Sequence, residues 1–406
     1  AVRRLRADSQ LTVIGITGSS GKTTTKDLLA QLLAAEGPTV APIGSYNGEV
    51  GVPLTVFTAE YGTRYLIIEM GATGIGHIEY LASMVKPDVG VVLGVGTAHA
   101  GEFGGVERIA QAKAELPSSI GPEGCAILNA DDPRVLAMES GVLAQKIYFT
   151  ADDSFATSSG AVVRAERCEI GRDGHPEFQL VLPGGGSFDV RSRLLGRHQV
   201  TNLLAAASIA HTLGIPGERI ARALSSAQMV SRWRMERTER ADGVTIINDA
   251  YNANPESMRA ALGTLAELGR GRRTWAVLGE MLELGEDSIS EHDALGRVAV
   301  RFNISKLIVV GNGARAMHSG AVLEGSWGDE AVFVEDAAAA EAILRAELLP
   351  GDLVLLKSSN AAGLRFLGDR IALASNDSTA VPDDHADPLT DSSASGRTNL
   401  QGGTKP

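Results

Sequence analysis

The segment ITGSSGKTTT, Ile16 to Thr25, carries the residue types that hold a polyphosphate. Gly18 and Gly21 let backbone N–H groups approach phosphate oxygens closely, with Ser19, Ser20 and Thr24 completing the loop. Lys22 supplies a point charge, and the Thr23 hydroxyl is placed to bind Mg²⁺. The loop follows the apolar run LTVIGI and opens the helical pattern TTKDLLAQLLAAEG, which is the strand–loop–helix context that this chemistry needs. The spacing is a tight GxxGKTT. The first glycine of the commoner GxxxxGK[ST] pattern would fall at position 16, which is Ile.

Phosphoryl transfer also needs cations to neutralise clustered oxygens, so acids and His at strand ends are the next candidates. Glu69 ends the strand pattern RYLIIEMG, and His99 follows DVGVVLGV within GTAHAGEFG. Ligands of an open parallel sheet bind at the carboxyl ends of its strands, so Thr23, Glu69 and His99 could meet at one edge. Taken singly, a Glu after a strand is usually a helix cap and a loop His is usually solvated. Lys113 lies in the helical pattern GVERIAQAKAEL beside alanines and Leu116. The ordinary reading is a lysine that reaches out to water. With a lowered pKa it could instead react with CO₂ and become a carbamate, a metal-binding anion.

These residues need a sheet to position them. Apolar strand patterns LTVIGIT, RYLIIEM, DVGVVLGV and GCAILNA alternate with helical stretches such as IGHIEYLASMV, the mark of an α/β fold with a parallel sheet. From about Ser154 to Leu195, AVVRAERCEI, EFQLVL and SFDVRSRL read as short antiparallel strands joined by Gly-rich turns. Helix returns at HQVTNLLAAASIAHTLG, and a second alternating series starts near Gly243 with VTIINDA, TWAVLGE, KLIVVGN, AVFVED and DLVLLKS. The fold expected is a central P-loop parallel-sheet domain with a small antiparallel section, followed by a Rossmann-like α/β domain. The boundaries expected are 1–10 for a linker or helix end, 11–240 for the central domain, 241–374 for the second domain and 375–406 for a disordered tail. That tail has almost no large apolar residues and holds five Asp against one Arg and one Lys.

The bulk properties narrow the class. The net charge of −12 argues against a general nucleic-acid binder. Cys125 and Cys168 give neither a disulfide framework nor metal-ligand spacing, in keeping with a reducing cytosol. No apolar run approaches membrane-spanning length, so no membrane insertion is expected.

Taken together, TGSSGKTTTKDLL, SYNGEVGVPLTV, IIEMGATGIGHIEYL, AHAGEFGGVERIAQAKAEL, LLGRHQVTNLLAAASIA, INDAYNANPESMRAAL and AVLGEMLELGEDSISEH resemble the Mur ligases of peptidoglycan synthesis. NGEVGVPLT together with NDAYNANPESM resembles the branch that adds D-alanyl-D-alanine to UDP-N-acetylmuramoyl-tripeptide. The resemblance implies a cytoplasmic, monomeric, ATP-dependent ligase that works through an acyl phosphate. Lys22 and Thr23 would hold the ATP phosphates and one Mg²⁺, shared with Glu69, while His99 and a carbamylated Lys113 would hold a second. Asn202 would contact the adenine with His198 beside it, Asp249 the ribose, and Arg234 the nucleotide, with Arg232 as the alternative. Asn252 and Asn254 would lie at the junction of nucleotide and domains, where YNANP alone suggests only a turn before a helix. Asn47 would face the muramyl peptide, and Lys357 would be the cation for a substrate carboxylate.

Two departures stand out. The family often shows a Lys-Gly-Ser-Arg run where this chain has KSSNAAGL, so Asn360 replaces an arginine. Family members also carry an N-terminal UDP-sugar-binding domain, and the chain from Ala1 is expected to be the central and C-terminal domains of such a ligase, with poor activity on their own. The alternatives are a folylpolyglutamate synthetase-like ligase, which shares the two-domain core without a UDP-binding domain, and a nucleotide-binding module without ligase activity.

Overall fold

The computed structural model of the chain describes residues 2–8, 10–97, 100–326 and 328–373. The predicted ligand His99 and the tail predicted to be disordered lie outside the described residues. A short helix, Val2–Asp8, buries Val2 and Leu5 and anchors through an Arg6–Asp88 ion pair of 2.8 Å.

The first sheet has nine strands: β1 (Thr12–Thr17), β2 (Thr39–Val40), β3 (Tyr65–Glu69), β4 (Val89–Val92), β5 (Cys125–Asn129), β6 (Gln145–Thr150), β7 (Ala161–Ile170), β8 (Pro176–Leu182) and β9 (Gly186–Arg191). They lie in the order β2-β3-β1-β4-β5-β6-β7-β8-β9. Pairing is parallel from β2 through β7 and antiparallel for β7–β8 and β8–β9. The expected antiparallel section therefore continues the main sheet at its far edge. Strand β6, which the sequence reading had not singled out, joins the two parts: it pairs in parallel with both β5 and β7.

Strands covered on both faces read as continuous apolar runs, as β3 (YLIIE) and β4 (VGVV) do. Helix Lys22–Ala34 buries Leu28, Leu29, Leu32 and Leu33 on one face, where the alanine-rich helix Gln199–Thr212 packs beside it. Helix His77–Val85 and Leu116 of helix Val106–Ser119 cover the other face. Each such leucine contributes roughly 1.5–3 kcal/mol of burial.

The second sheet contains β10 (Glu236–Glu239), β11 (Thr245–Asn248), β12 (Thr274–Leu278), β13 (Lys306–Val310), β14 (Ala331–Val334) and β15 (Leu353–Lys357) in the order β10-β11-β15-β12-β13-β14. Only β10 is antiparallel. It already belongs to this sheet although it precedes position 240, because Met235 packs into the second core beside Ile247 and Met258. All five strands of the predicted second series are present.

Candidate active site

The register of the first sheet assembles the site. β1 lies between β3 and β4, pairing Ile16 with Glu69 and Thr17 with Val92. The loop after β1 therefore emerges between Glu69 and the segment that follows β4. Gly21 has a φ of +83°, and a Cβ there would collide with the Asn202 side-chain oxygen. Glycine is thus required twice over, by backbone conformation and by space. The Lys22 ammonium donates to the Gly18 carbonyl at 2.7 Å. Ser19 ties the loop to the end of β4: its amide donates to Gly94 O at 3.0 Å, and its hydroxyl accepts from Gly96 N at 2.9 Å.

Glu69 is buried at the end of β3, only 1% exposed. One carboxylate oxygen accepts from the Thr23 hydroxyl at 3.1 Å, and the other accepts from the Asn47 amide at 2.8 Å. Asn47 can approach because Gly71 has no side chain; a Cβ there would stand 2.7 Å from its oxygen. Ser45 lies 3.1 Å from the Thr23 hydroxyl, and the Arg234 guanidinium reaches both hydroxyls at 3.4 Å. Burial pushes the Lys22 pKa down, against the nearby Glu69 charge, which raises it. The two predicted partners Thr23 and Glu69 do meet.

Lys113 does not reach water. Its side chain is buried on helix Val106–Ser119 and lines the same cavity as Lys22 and Glu69. Burial, and then the charge of Lys22, lower its pKa to about 7, so a large share is neutral near neutrality.

The second domain supplies the facing wall. Asp249 and Lys357 stand at the ends of the neighbouring strands β11 and β15 and form a buried ion pair of 2.6 Å. Lys357 also donates to Asn252 O at 2.9 Å, and Asp249 accepts from Met235 N at 3.0 Å. Lys357, expected as a free cation for a substrate, thus has its charge committed to Asp249. Arg234 lies over the Tyr251 ring at 4.4 Å and faces the cavity, whereas Arg232 points to the outside and pairs with Asp369 at 2.9 Å. Asn254 caps helix Pro255–Leu268 and donates to the Ser20 hydroxyl at 3.1 Å, crossing between the domains. Asn202 accepts from the Thr25 hydroxyl at 3.3 Å and donates to Gln199 at 2.8 Å, under the phosphate loop. His198 contacts Gln199 at 3.0 Å, and burial lowers its pKa to about 4.

Together these residues line a cavity of about 820 Å³ between the two sheets. Thr24, Asn252 and Asn254 are among them. The sequence reading missed Ser45, Thr97, Tyr251 and Glu256, which also stand at or beside the cavity. Ser45 stands two residues before the flagged Asn47, Tyr251 adjoins Asn252 and Glu256 follows YNANP directly, so nearness in sequence was the available signal for these three.

The donor set fits a nucleotide and a hard cation. Thr23 and Glu69 offer adjacent oxygens, and two buried nitrogens of the lining, His198 Nδ1 and Arg234 Nε, lack partners among the described residues. Among the described residues no three His, Cys, Asp or Glu side chains gather as a self-sufficient metal cage. The Thr23 and Glu69 oxygens fit Mg²⁺, which keeps waters and takes phosphate oxygens alongside one or two protein ligands.

Comparison with known proteins matches residues 16–210 to the Mur ligase middle domain and residues 233–360 to the Mur ligase, glutamate ligase domain. The UDP-N-acetylmuramoyl-tripeptide--D-alanyl-D-alanine ligase of Mycobacterium tuberculosis is 51% identical over 378 residues, covering 89% of this chain and 73% of the relative. A crystal structure of MurF from Acinetobacter baumannii superposes with a TM-score of 0.81 at 32% identity, over 91% of this chain and 78% of the other. The Thermotoga maritima MurF ligase in complex with ADP gives 0.78 at 27% identity, over 91% and 82%. With both domain models matched in chain order, the chain belongs to the Mur ligase family, and its relatives within it are the UDP-N-acetylmuramoyl-tripeptide--D-alanyl-D-alanine ligases.

Proposed function

We propose that the chain joins D-alanyl-D-alanine to UDP-N-acetylmuramoyl-tripeptide with hydrolysis of ATP to ADP and phosphate, a step in making the peptidoglycan precursor. The observation that carries this reading is the cavity between the domains. One wall holds the phosphate loop and Glu69, and the other holds Arg234 and Asp249. Reactants that must be brought together from two domains require positioning above all. The 51% identity to a ligase of that name supports the choice of substrates.

The chemistry follows from charge. The tripeptide carboxylate attacks the γ-phosphate of ATP; an O–P bond forms as the bond to ADP breaks. Both reactants are anionic, so Lys22 and Arg234, with their donors aimed at the phosphate end of the cavity, offset the repulsion. The amine of D-alanyl-D-alanine then attacks the acyl carbon of the acyl phosphate, phosphate leaves, and the amine proton passes to solvent or phosphate. Asn202, His198 and Asp249 are assigned to the nucleoside end, and Asn47 to the muramyl peptide. Asn252 and Asn254 join the domains around the nucleotide.

Thr23 and Glu69 would hold one Mg²⁺, and His99 with a carbamylated Lys113 a second. Bound there, these ions neutralise phosphate charge. The buried, half-neutral Lys113 amine suits carbamate formation: its nitrogen bonds to the carbon of CO₂ and releases a proton. The cell compartment that supplies these substrates is the cytoplasm, and no helix among the described residues is long and apolar enough to cross a membrane. A monomer suffices, because both walls of the cavity come from one chain. ADP release that depends on both the muramyl tripeptide and D-alanyl-D-alanine tests the reading; release without either would overturn it.

A further inference from the structure

Glu256 is the second residue of helix Pro255–Leu268 in the second domain, yet its carboxylate lies against the segment after β4 in the first. One oxygen accepts from both the Thr97 amide at 2.9 Å and the Thr97 hydroxyl at 3.0 Å. The other oxygen is buried without a partner among the described residues. The approach is tight: a Cβ on Gly96 would meet the Glu256 carboxyl carbon at 2.7 Å.

We propose that Glu256 is a positioning residue that latches the second domain onto the segment after β4 and so sets the closed geometry in which the reactants meet. Three observations carry this. The segment it grips is also bonded to the phosphate loop, through Ser19 to Gly94 and Gly96. The same helix start makes a second contact across the gap, from Asn254 to Ser20. The charge is supported from both sides, by the helix N-terminus on which Glu256 stands and by the Thr97 donors. A domain movement that breaks the Glu256 contact thus frees Thr97 from the second domain.

The consequence for catalysis rests on the ligase reading, but the latch itself can be read without turnover. Hydrogen exchange of the Thr97 amide is measured in the full chain for wild type, E256Q, E256A and T97V. E256A should exchange roughly tenfold or more faster at Thr97. E256Q, whose amide oxygen can still accept, should remain close to wild type. In steady-state assays E256A should lower kcat roughly ten- to a hundredfold while the Kd for ATP stays within about twofold. Adding T97V to E256A should cost nothing more, although T97V alone slows turnover. Unchanged Thr97 exchange in a folded E256A protein overturns the latch. A loss of ATP affinity equal to the loss in kcat overturns the positioning role. Absence of turnover in wild type carrying any residues its gene encodes before Ala1, with the exchange difference intact, would instead contradict the ligase reading.

Discussion

Lys357 and Asp249 pair at 2.6 Å across the ends of two adjacent strands, and both side chains are largely buried. Burial lowers the Lys357 pKa, and the charge and hydrogen bond of Asp249 oppose that shift. Removing the lysine leaves Asp249 buried with an uncompensated charge. K357M should therefore destabilise the second domain by about 3–5 kcal/mol in chemical denaturation, whereas the double variant D249N/K357M should recover part of that loss.

The two arginines of SRWRM separate cleanly. Arg234 reaches the Thr23 hydroxyl in the cavity, while Arg232 makes an exposed pair with Asp369. R234A should raise the KM for ATP at least tenfold, the scale of one lost charge-assisted hydrogen bond of about 1.5–3 kcal/mol. R232A should change KM by less than twofold and stability by about 0–1 kcal/mol.

Activity should fall as the pH drops through the Lys113 range. The amine reacts with CO₂ only when neutral, and with a pKa of about 7 the neutral share shrinks steadily below neutrality. NMR with ¹³C-bicarbonate should show a carbamate signal in wild type that weakens from pH 8 to pH 6 and is missing in K113A. K113A should lose roughly a hundredfold or more in kcat while still binding ATP.

His198 gives a stability dependence of the same direction. Its pKa is about 4 in the fold, against 6.5 for an unperturbed histidine, so between those values the unfolded chain binds a proton that the native one refuses. Stability should decline as pH falls from about 6.5 toward 4. In H198N the decline measured by urea unfolding should be shallower.

The structure also assigns Gly71 a reason. G71A should push Asn47 off Glu69, because the new methyl would stand 2.7 Å from the Asn47 oxygen. Turnover should fall with little change in melting temperature. An unchanged kcat would show that the Asn47–Glu69 bond is dispensable.

Local pattern made much of this legible in the sequence. The GSSGKTT loop, the strand end bearing Glu69 and the all-apolar strands follow from residue type and spacing, whereas Asp249 was singled out through the family resemblance. What pattern could not give is contact between distant segments. Glu256 meeting Thr97 and Arg234 meeting Thr23 depend on how the two sheets face each other. Lys113 shows the same limit: a lysine on a helix normally escapes to water, and only the packed fold shows that this one does not. β6 was missed because its leading Gln145 and Lys146 are polar and its buried part is only four residues long.

ADP release by the chain, with any residues its gene encodes before Ala1, tests the ligase assignment most directly. UDP-N-acetylmuramoyl-tripeptide plus D-alanyl-D-alanine is compared with a folate plus glutamate. Turnover with the first pair alone, lost when either member is left out, is the predicted result. Turnover with the folate pair alone, or with neither, would contradict it.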